Sequence, residues 1–193
     1  MVAETRTLTV EQYFALERDS LEKHEYLRGQ VFALAGASPA HNLVTANIGA
    51  ALNGALKSRP CRVYAADLRI HVPATGLYTY ADATAVCGKA QLDEGNPPSL
   101  LNPDVIIEVL SESTESYDRG KKFAHYRSIP SLKEYLLVSQ KEAVIEQFTR
   151  QADGSWLLRE WKSGDHVVLA LPDRACTIAV DDVFDKVFDL EPG

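Results

Sequence analysis

The stretch Leu101-Asn-Pro-Asp-Val-Ile-Ile-Glu108-Val-Leu-Ser111 decides how the chain folds. From Val105 to Leu110 it is an almost unbroken apolar run with one carboxylate inside. A short run that does not alternate between apolar and polar reads as a strand covered on both faces, which belongs in the middle of a sheet with helices on either side.

Working outward, the same logic assigns the neighbours. Upstream, Tyr78 to Cys87 and Cys61 to Val72 read as strands separated by a turn at Pro73–Gly76, and a Pro-rich loop at Gly95–Pro98 leads into the central run. Ser38 followed by Pro39 gives an N-cap and a first-turn proline. Val44, Ile48, Ala51, Leu52, Ala55 and Leu56 then repeat at helical spacing, so the best helix ends near Ser58. Thr9 with Gln12 is a capping-box pattern for a short helix over 10–18, and Glu25 to Ala35, broken at Gly29, reads as a hairpin. Downstream, a second amphipathic helix over 118–128 precedes a buried strand at Tyr135–Val138. Val144–Thr149, Trp156–Trp161 and His166–Leu171 then form an antiparallel meander. The order predicts an α/β (α+β) fold with a mixed central β-sheet flanked by helices, in one domain over 1–193: a core over roughly 8–140, then the meander and an acidic tail over 141–193.

At 193 residues with 46% hydrophobic and 24% charged residues, the chain has ordinary globular usage, which excludes disordered and collagen-like classes. One core of this size removes roughly 70% of the unfolded surface, so stability needs no disulfide or structural metal. Cys61, Cys87 and Cys176 are an odd set without a CxxC pair and read as buried free thiols. No stretch is long and apolar enough for a membrane span, and the N-terminus lacks a signal-peptide pattern, so a cytoplasmic protein with no membrane partner is expected. The net charge of −7 opposes a generally basic coat, yet residues 119–141 hold six Lys or Arg against one acid and 20–75 hold six against three. Those regions can face a polyanion while the tail stays acidic.

The chemistry starts from two carboxylates in consecutive strands, Asp82 and Glu108. An ionised carboxylate on an apolar strand carries a desolvation cost of several kcal/mol unless paired or metal-bound. If the strands are neighbours, one hard cation satisfies both, and Mg²⁺ suits the set because it takes oxygen ligands while keeping waters. The other reading leaves Asp82 at a strand end in solvent and pairs Glu108 with an arginine. Lys122 lies one turn from both Asp118 and Tyr126, with Lys121 about 100° away, so only one of the two lysines faces the sheet. Lys122 is either a solvated charge or a group held beside a metal-bound water. His41 stands in the first turn of the best helix. The remaining histidines lack ligand spacing, and no phosphate-binding loop or nucleophile-elbow motif occurs.

Several of these segments together resemble the Uma-two family of the PD-(D/E)XK nuclease superfamily: Lys23-His-Glu-Tyr-Leu-Arg-Gly-Gln30, Ala37-Ser-Pro-Ala-His41-Asn42, Ala66-Asp-Leu-Arg-Ile70, Tyr80-Ala-Asp82, the Leu101–Ser111 stretch, Asp118-Arg-Gly-Lys-Lys-Phe-Ala-His-Tyr126 and Leu132-Lys-Glu-Tyr-Leu-Leu-Val138. The pattern runs in order over about residues 8–185. It implies a restriction-endonuclease-like core whose acids bind Mg²⁺, with Mn²⁺ as an alternative, for phosphodiester hydrolysis. By position, Asp82 is similar to the motif aspartate, Glu108 to the second metal-binding acid and Lys122 to a lysine displaced onto the following helix, since Leu110 stands where the wider superfamily has lysine. Glu25 resembles an additional acid, and His41 and Asp67 match cleft positions. Ala81 replaces the proline expected before the motif aspartate, and Gln30 stands where relatives carry an acid.

The expected function is therefore a Mg²⁺-dependent endonuclease acting on DNA, possible as a homodimer. Asp82, Glu108 and the Val109 carbonyl would hold the cation and Lys122 would position a water. On this reading Asp82→Asn and Lys122→Ala retain the fold. The rival is a catalytically silent nucleic-acid or protein interaction module on the same fold.

Overall fold

Residues 7–34, 36–171 and 175–189 are described by the structure, a computed structural model. The hairpin end expected near Ala35 and the last four residues of the acidic tail lie outside them.

The central run forms β7 (Val105–Val109), and alternation along it builds two cores. Val105, Ile107 and Val109 face one side of the sheet, with Ile106 and Leu110 on the other. On the first side lies α2 (Pro39–Leu56), capped by the Ser38 hydroxyl, which accepts from the His41 amide at 3.0 Å. Its Val44, Ile48, Leu52 and Leu56 are buried at the 3.6-residue period. The other side is covered by the connection between β7 and β8 (Glu134–Val138), which brings Phe123, Tyr126 and Ile129 onto the sheet.

β7 and β8 are parallel, while every other neighbouring pair in this sheet is antiparallel. The sheet has six strands in the order β10-β9-β8-β7-β6-β3, with β3 (Cys61–Ala65), β6 (Ala83–Cys87), β9 (Val144–Arg150) and β10 (Trp156–Lys162). Since parallel strands cannot be joined by a tight turn, the β7–β8 connection must cross over one face. The architecture is the expected mixed sheet flanked by helices.

Three expectations are corrected. The strands expected over 61–72 and 78–87 are each broken in two, because β4 (Arg69–Val72) and β5 (Leu77–Tyr80) leave the large sheet. They join β1 (His24–Leu27) and β2 (Gln30–Ala33) in a second sheet of order β2-β1-β5-β4. Asp82 therefore lies in the bend between β5 and β6 rather than within a strand. The helix expected over 118–128 is three short pieces: α3 (Glu115–Tyr117), a π turn (Asp118–Lys122) and α4 (Phe123–Tyr126). Cys61 and Cys87 are cross-strand partners in β3 and β6 and form a disulfide, so only Cys176 is a buried free thiol. Sequence spacing hid this pair, because 26 residues separate two cysteines that strand register sets side by side.

Local turns carry their own signals. α1 (Val10–Asp19) has the expected capping box of Thr9 and Gln12. The β1–β2 hairpin turns through Arg28 and Gly29 at φ 48° and 92°, the left-handed pair a two-residue hairpin demands, and a Cβ at Gly29 would stand 2.9 Å from Thr7. In the meander, β9 and β10 extend the central sheet, whereas β11 (His166–Leu169) pairs with β12 (Cys176–Ala179) and packs with α5 (Val180–Val183) against α2. Because Ile48 is fully buried between α2 and this sheet, Ile48→Ala should lower stability by about 2–5 kcal/mol, read as a drop in denaturant midpoint with an unchanged slope.

Candidate active site

The crossover fixes the site. β7 presents Glu108 to the face that the crossover covers, and the π turn drops Lys122 onto it. The wider π turn, a local departure often found at functional sites, turns both Asp118 and Lys122 inward. The Lys122 Nζ lies 3.0 Å from Glu108 Oε1, 3.4 Å from Glu25 Oε1 and 3.6 Å from Asp118 Oδ1, and donates to the Tyr80 carbonyl at 3.1 Å. Lys122 is 5% exposed and Glu108 4%. Lys121, its neighbour, is exposed.

Hydroxyl groups hold the acids in place. Tyr126 donates to Glu108 Oε1 at 2.8 Å, and Tyr117 donates to Glu25 Oε2 at 3.0 Å. Thr79, on β5, donates to Glu25 Oε1, and Tyr135 donates to the Asp118 carbonyl at 3.0 Å. Glu25 thus has both oxygens engaged, one by Thr79 and Lys122 and the other by Tyr117.

Asp82 approaches from the bend. Its Oδ2 accepts from the Val109 amide at 2.7 Å, taking the place of a strand partner beside Glu108. The β6–β7 register pairs Ala83 with Ile107, and Asp82 is the next residue along, towards the Glu108 end. From the other face, His41 Nε2 reaches within 3.5 Å of Asp82 Oδ2.

One amine among three buried carboxylates leaves a surplus of negative charge. Burial, reinforced by Asp118 and Asp82 against the opposing pull of Lys122, pushes Glu108 well above the usual carboxylate range. Burial likewise raises Asp118. Burial alone would depress Lys122, but Glu108, Glu25 and Asp118 outweigh it and hold the amine protonated. Glu108 and Asp118 are therefore biased towards their protonated forms while the lysine keeps its proton. His41 is raised above 6.5 by its hydrogen bond to Asp82, against its own burial.

Of the residues expected from sequence, Glu25, Glu108 and Lys122 converge, and Asp82 and His41 meet beside them. Asp67 does not join: it is largely exposed and pairs with Lys23 at 2.5 Å. The solvated alternative for Lys122 is excluded by its burial, so Lys122→Ala, expected to retain the fold, should do so at reduced stability. Removing one partner from a buried ion cluster costs about 3–5 kcal/mol because the remaining charges stay uncompensated. The pairing of Glu108 with an arginine is replaced by pairing with Lys122. Sequence reasoning missed Tyr117, Thr79 and the inward role of Asp118; the Asp118, Lys122 and Tyr126 spacing was the one signal for the last.

Asp82 and Glu108 carry carboxylate oxygens, the ligand type that a hard divalent cation takes. Among the described residues no three His, Cys, Asp or Glu side chains are gathered so that they could hold a metal ion. No helix among the described residues is long and apolar enough to cross a membrane.

Comparison with known proteins agrees with this architecture. The uncharacterized Synechocystis protein sll1609 is 33% identical over 160 residues, covering 83% of this chain and 90% of its own. A second uncharacterized protein of that organism, slr1290, is 33% identical over 177 residues, covering 92% of this chain and 91% of its own. A crystal structure titled a "putative nuclease belonging to DUF820", from Anabaena variabilis, superposes with a TM-score of 0.71 at 16% identity, over 93% of this chain and 99% of that one, which establishes a shared fold. The Uma2 family model, described as "Putative restriction endonuclease", matches residues 10–179. The chain belongs to the Uma2 family.

Proposed function

We propose that the protein is a Mg²⁺-dependent endonuclease that hydrolyses phosphodiester bonds of DNA, with Mn²⁺ able to substitute. One observation carries the reading: a buried lysine held at 3.0 Å from Glu108, with surplus carboxylate charge beside Asp82. Charge of this sign in a desolvated pocket calls for a cation, and the oxygen donors select a hard one.

In this reading Asp82, Glu108 and the Val109 carbonyl would hold the cation, the carboxylates through whichever oxygen is left after the Val109 amide takes Asp82 Oδ2 and Lys122 and Tyr126 take Glu108 Oε1. When bound, the cation polarises a phosphate oxygen and acidifies a water. Lys122 stays protonated, fixed by Glu108 and the Tyr80 carbonyl, and orients the attacking water while offsetting charge on the phosphoryl oxygens. Glu25 and Asp118 are positioning residues that hold that amine. His41 acts through Asp82, keeping its carboxylate turned towards β7. The silent interaction module remains the second reading, favoured by Lys122 being fully engaged within the protein; metal binding separates the two.

Asp82→Asn keeps an oxygen acceptor for the Val109 amide, so it tests chemistry without dismantling the fold. Asp82→Asn and Glu108→Gln are expected to lower Mg²⁺-dependent cleavage of a DNA substrate by at least about 10²-fold, the scale of losing one charge-stabilising element. Near wild-type cleavage by either variant defeats the proposal. Mg²⁺ should also raise the melting temperature of the wild type and not of these variants, since a ligand confined to the folded state stabilises it. No shift with the wild type selects the silent module.

His41 provides a pH signature. Its folded-state pKa lies above 6.5, so its ion pair with Asp82 contributes fully below 6.5 and is lost as pH rises through the raised value. The stability difference between wild type and His41→Asn should therefore shrink on going from mildly acidic to alkaline buffer. The His41 ring should titrate by NMR above 6.5, returning towards it in Asp82→Asn.

A further inference from the structure

β3 is an edge strand of the six-stranded sheet, so among the described residues no strand lies beside the outer peptide groups of Cys61–Ala65. Two separate concavities lie along that edge. The first, about 520 Å³, lies between β3 and α2 and is walled by Asn42, Ala46, Gly49, Asn53 and Tyr64, with Asp82 among its lining. The second, about 600 Å³, lies at the Cys61 end and is lined by Arg59, Arg62 and Lys89. Charge is sorted between them. Among the described residues Asp82 is the only charged one lining the first, and the charged ones lining the second are cations, in a chain whose net charge is −7.

We propose that the β3 edge is a track for one nucleic-acid strand, in which Arg62 and Lys89 hold a backbone phosphate while the strand passes through the α2–β3 groove to the Asp82 end. This rests on the hydrolase reading and adds the path of its substrate. The four steps from Ala83 to Cys87 along β6 span about 13 Å at ~3.3 Å each. At ~3.4 Å of rise per nucleotide in a duplex strand this is about four nucleotides, and fewer in an extended strand. Arg62 donates one hydrogen bond to the Gly88 carbonyl at 2.8 Å, which fixes its guanidinium at the rim; four further N–H groups remain on that fork for a phosphate. Between the two ends the groove offers neutral groups: the Asn53 amide suited to base edges and Tyr64 suited to stacking. Its width comes from small residues on α2. Nothing lies within 4 Å of where a Gly49 Cβ would stand.

The test is binding of the full chain to a labelled single-stranded DNA oligonucleotide, without divalent metal, between 50 and 200 mM salt. R62A/K89A should weaken binding about tenfold and flatten the slope of log K against log salt by about 0.7, the loss of one phosphate contact on a single strand. Gly49→Leu fills the groove from an open helix position; it should weaken binding while leaving the melting temperature equal or higher, because leucine is the better helix former. Lys162→Ala, on the opposite sheet edge and paired with Glu160, controls for net charge and should leave the slope unchanged. Wild-type affinity and slope in R62A/K89A, an effect of Lys162→Ala as large as theirs, or no binding by the wild type overturns the track. The two readings fail separately. An inert wild type whose binding still depends on Arg62 and Lys89 removes hydrolysis and keeps the track, whereas an active enzyme indifferent to them removes the track alone.

Discussion

A single buried ammonium holds this structure's functional end together. Lys122 sits among Glu25, Glu108 and Asp118, drawn from β1, β7 and the π turn, and touches the carbonyl of Tyr80 at the end of β5. Each charge taken from water carries a desolvation penalty of several kcal/mol, recovered only when the partners sit in good geometry with their other lone pairs satisfied. The tyrosines and Thr79 supply that satisfaction. Both sheets and the crossover must therefore be in register before the cluster is tolerable, which makes it a lock on the relation between them.

The lock is deliberately out of balance in charge. Three carboxylates share one lysine, and Asp82 adds a fourth close enough to raise Glu108 and Asp118 further. A purely structural cluster gains nothing from that excess, and replacing such groups by apolar ones is often neutral or stabilising. The buried pair behind the C-terminal strands is a contrast. Glu134 receives Gln147, Thr149 and the Ala170 amide, and Gln147 in turn accepts from Trp161, so that carboxylate is satisfied by neutral donors that tie β8, β9, β10 and the segment after β11. Hydrogen bonding completes the one site, while the other still attracts positive charge.

The bend at residues 81–82 shows how fold and site are made by the same event. The β3–β6 ladder ends at Ala65 and Ala83, and the chain crosses into the second sheet to build β4 and β5. Leaving the sheet there frees the Val109 amide from a strand partner, and the Asp82 carboxylate fills the vacancy. α2 contributes in two directions at once. Its apolar face fills the core, its capped start delivers His41 to Asp82, and its small residues leave open space over the sheet edge.

By itself the sequence determined the elements whose signals are local: the doubly covered strand at Val105–Val109, the helix capped at Ser38, the hairpin turning at Gly29 and the mixed class that their order implies. It also singled out Glu25, His41, Asp82, Glu108 and Lys122, partly through spacing and partly through family resemblance. Tertiary structure decided the rest. Periodicity reports which way a side chain points within its own element, not where the chain goes when it leaves one sheet for another. The split of the strands over 61–72 and 78–87, the cysteine pairing across 26 residues and the meeting of Glu25 with Tyr117 across 92 all follow from strand register and the path of one crossover. Those are fixed by packing the whole chain at once.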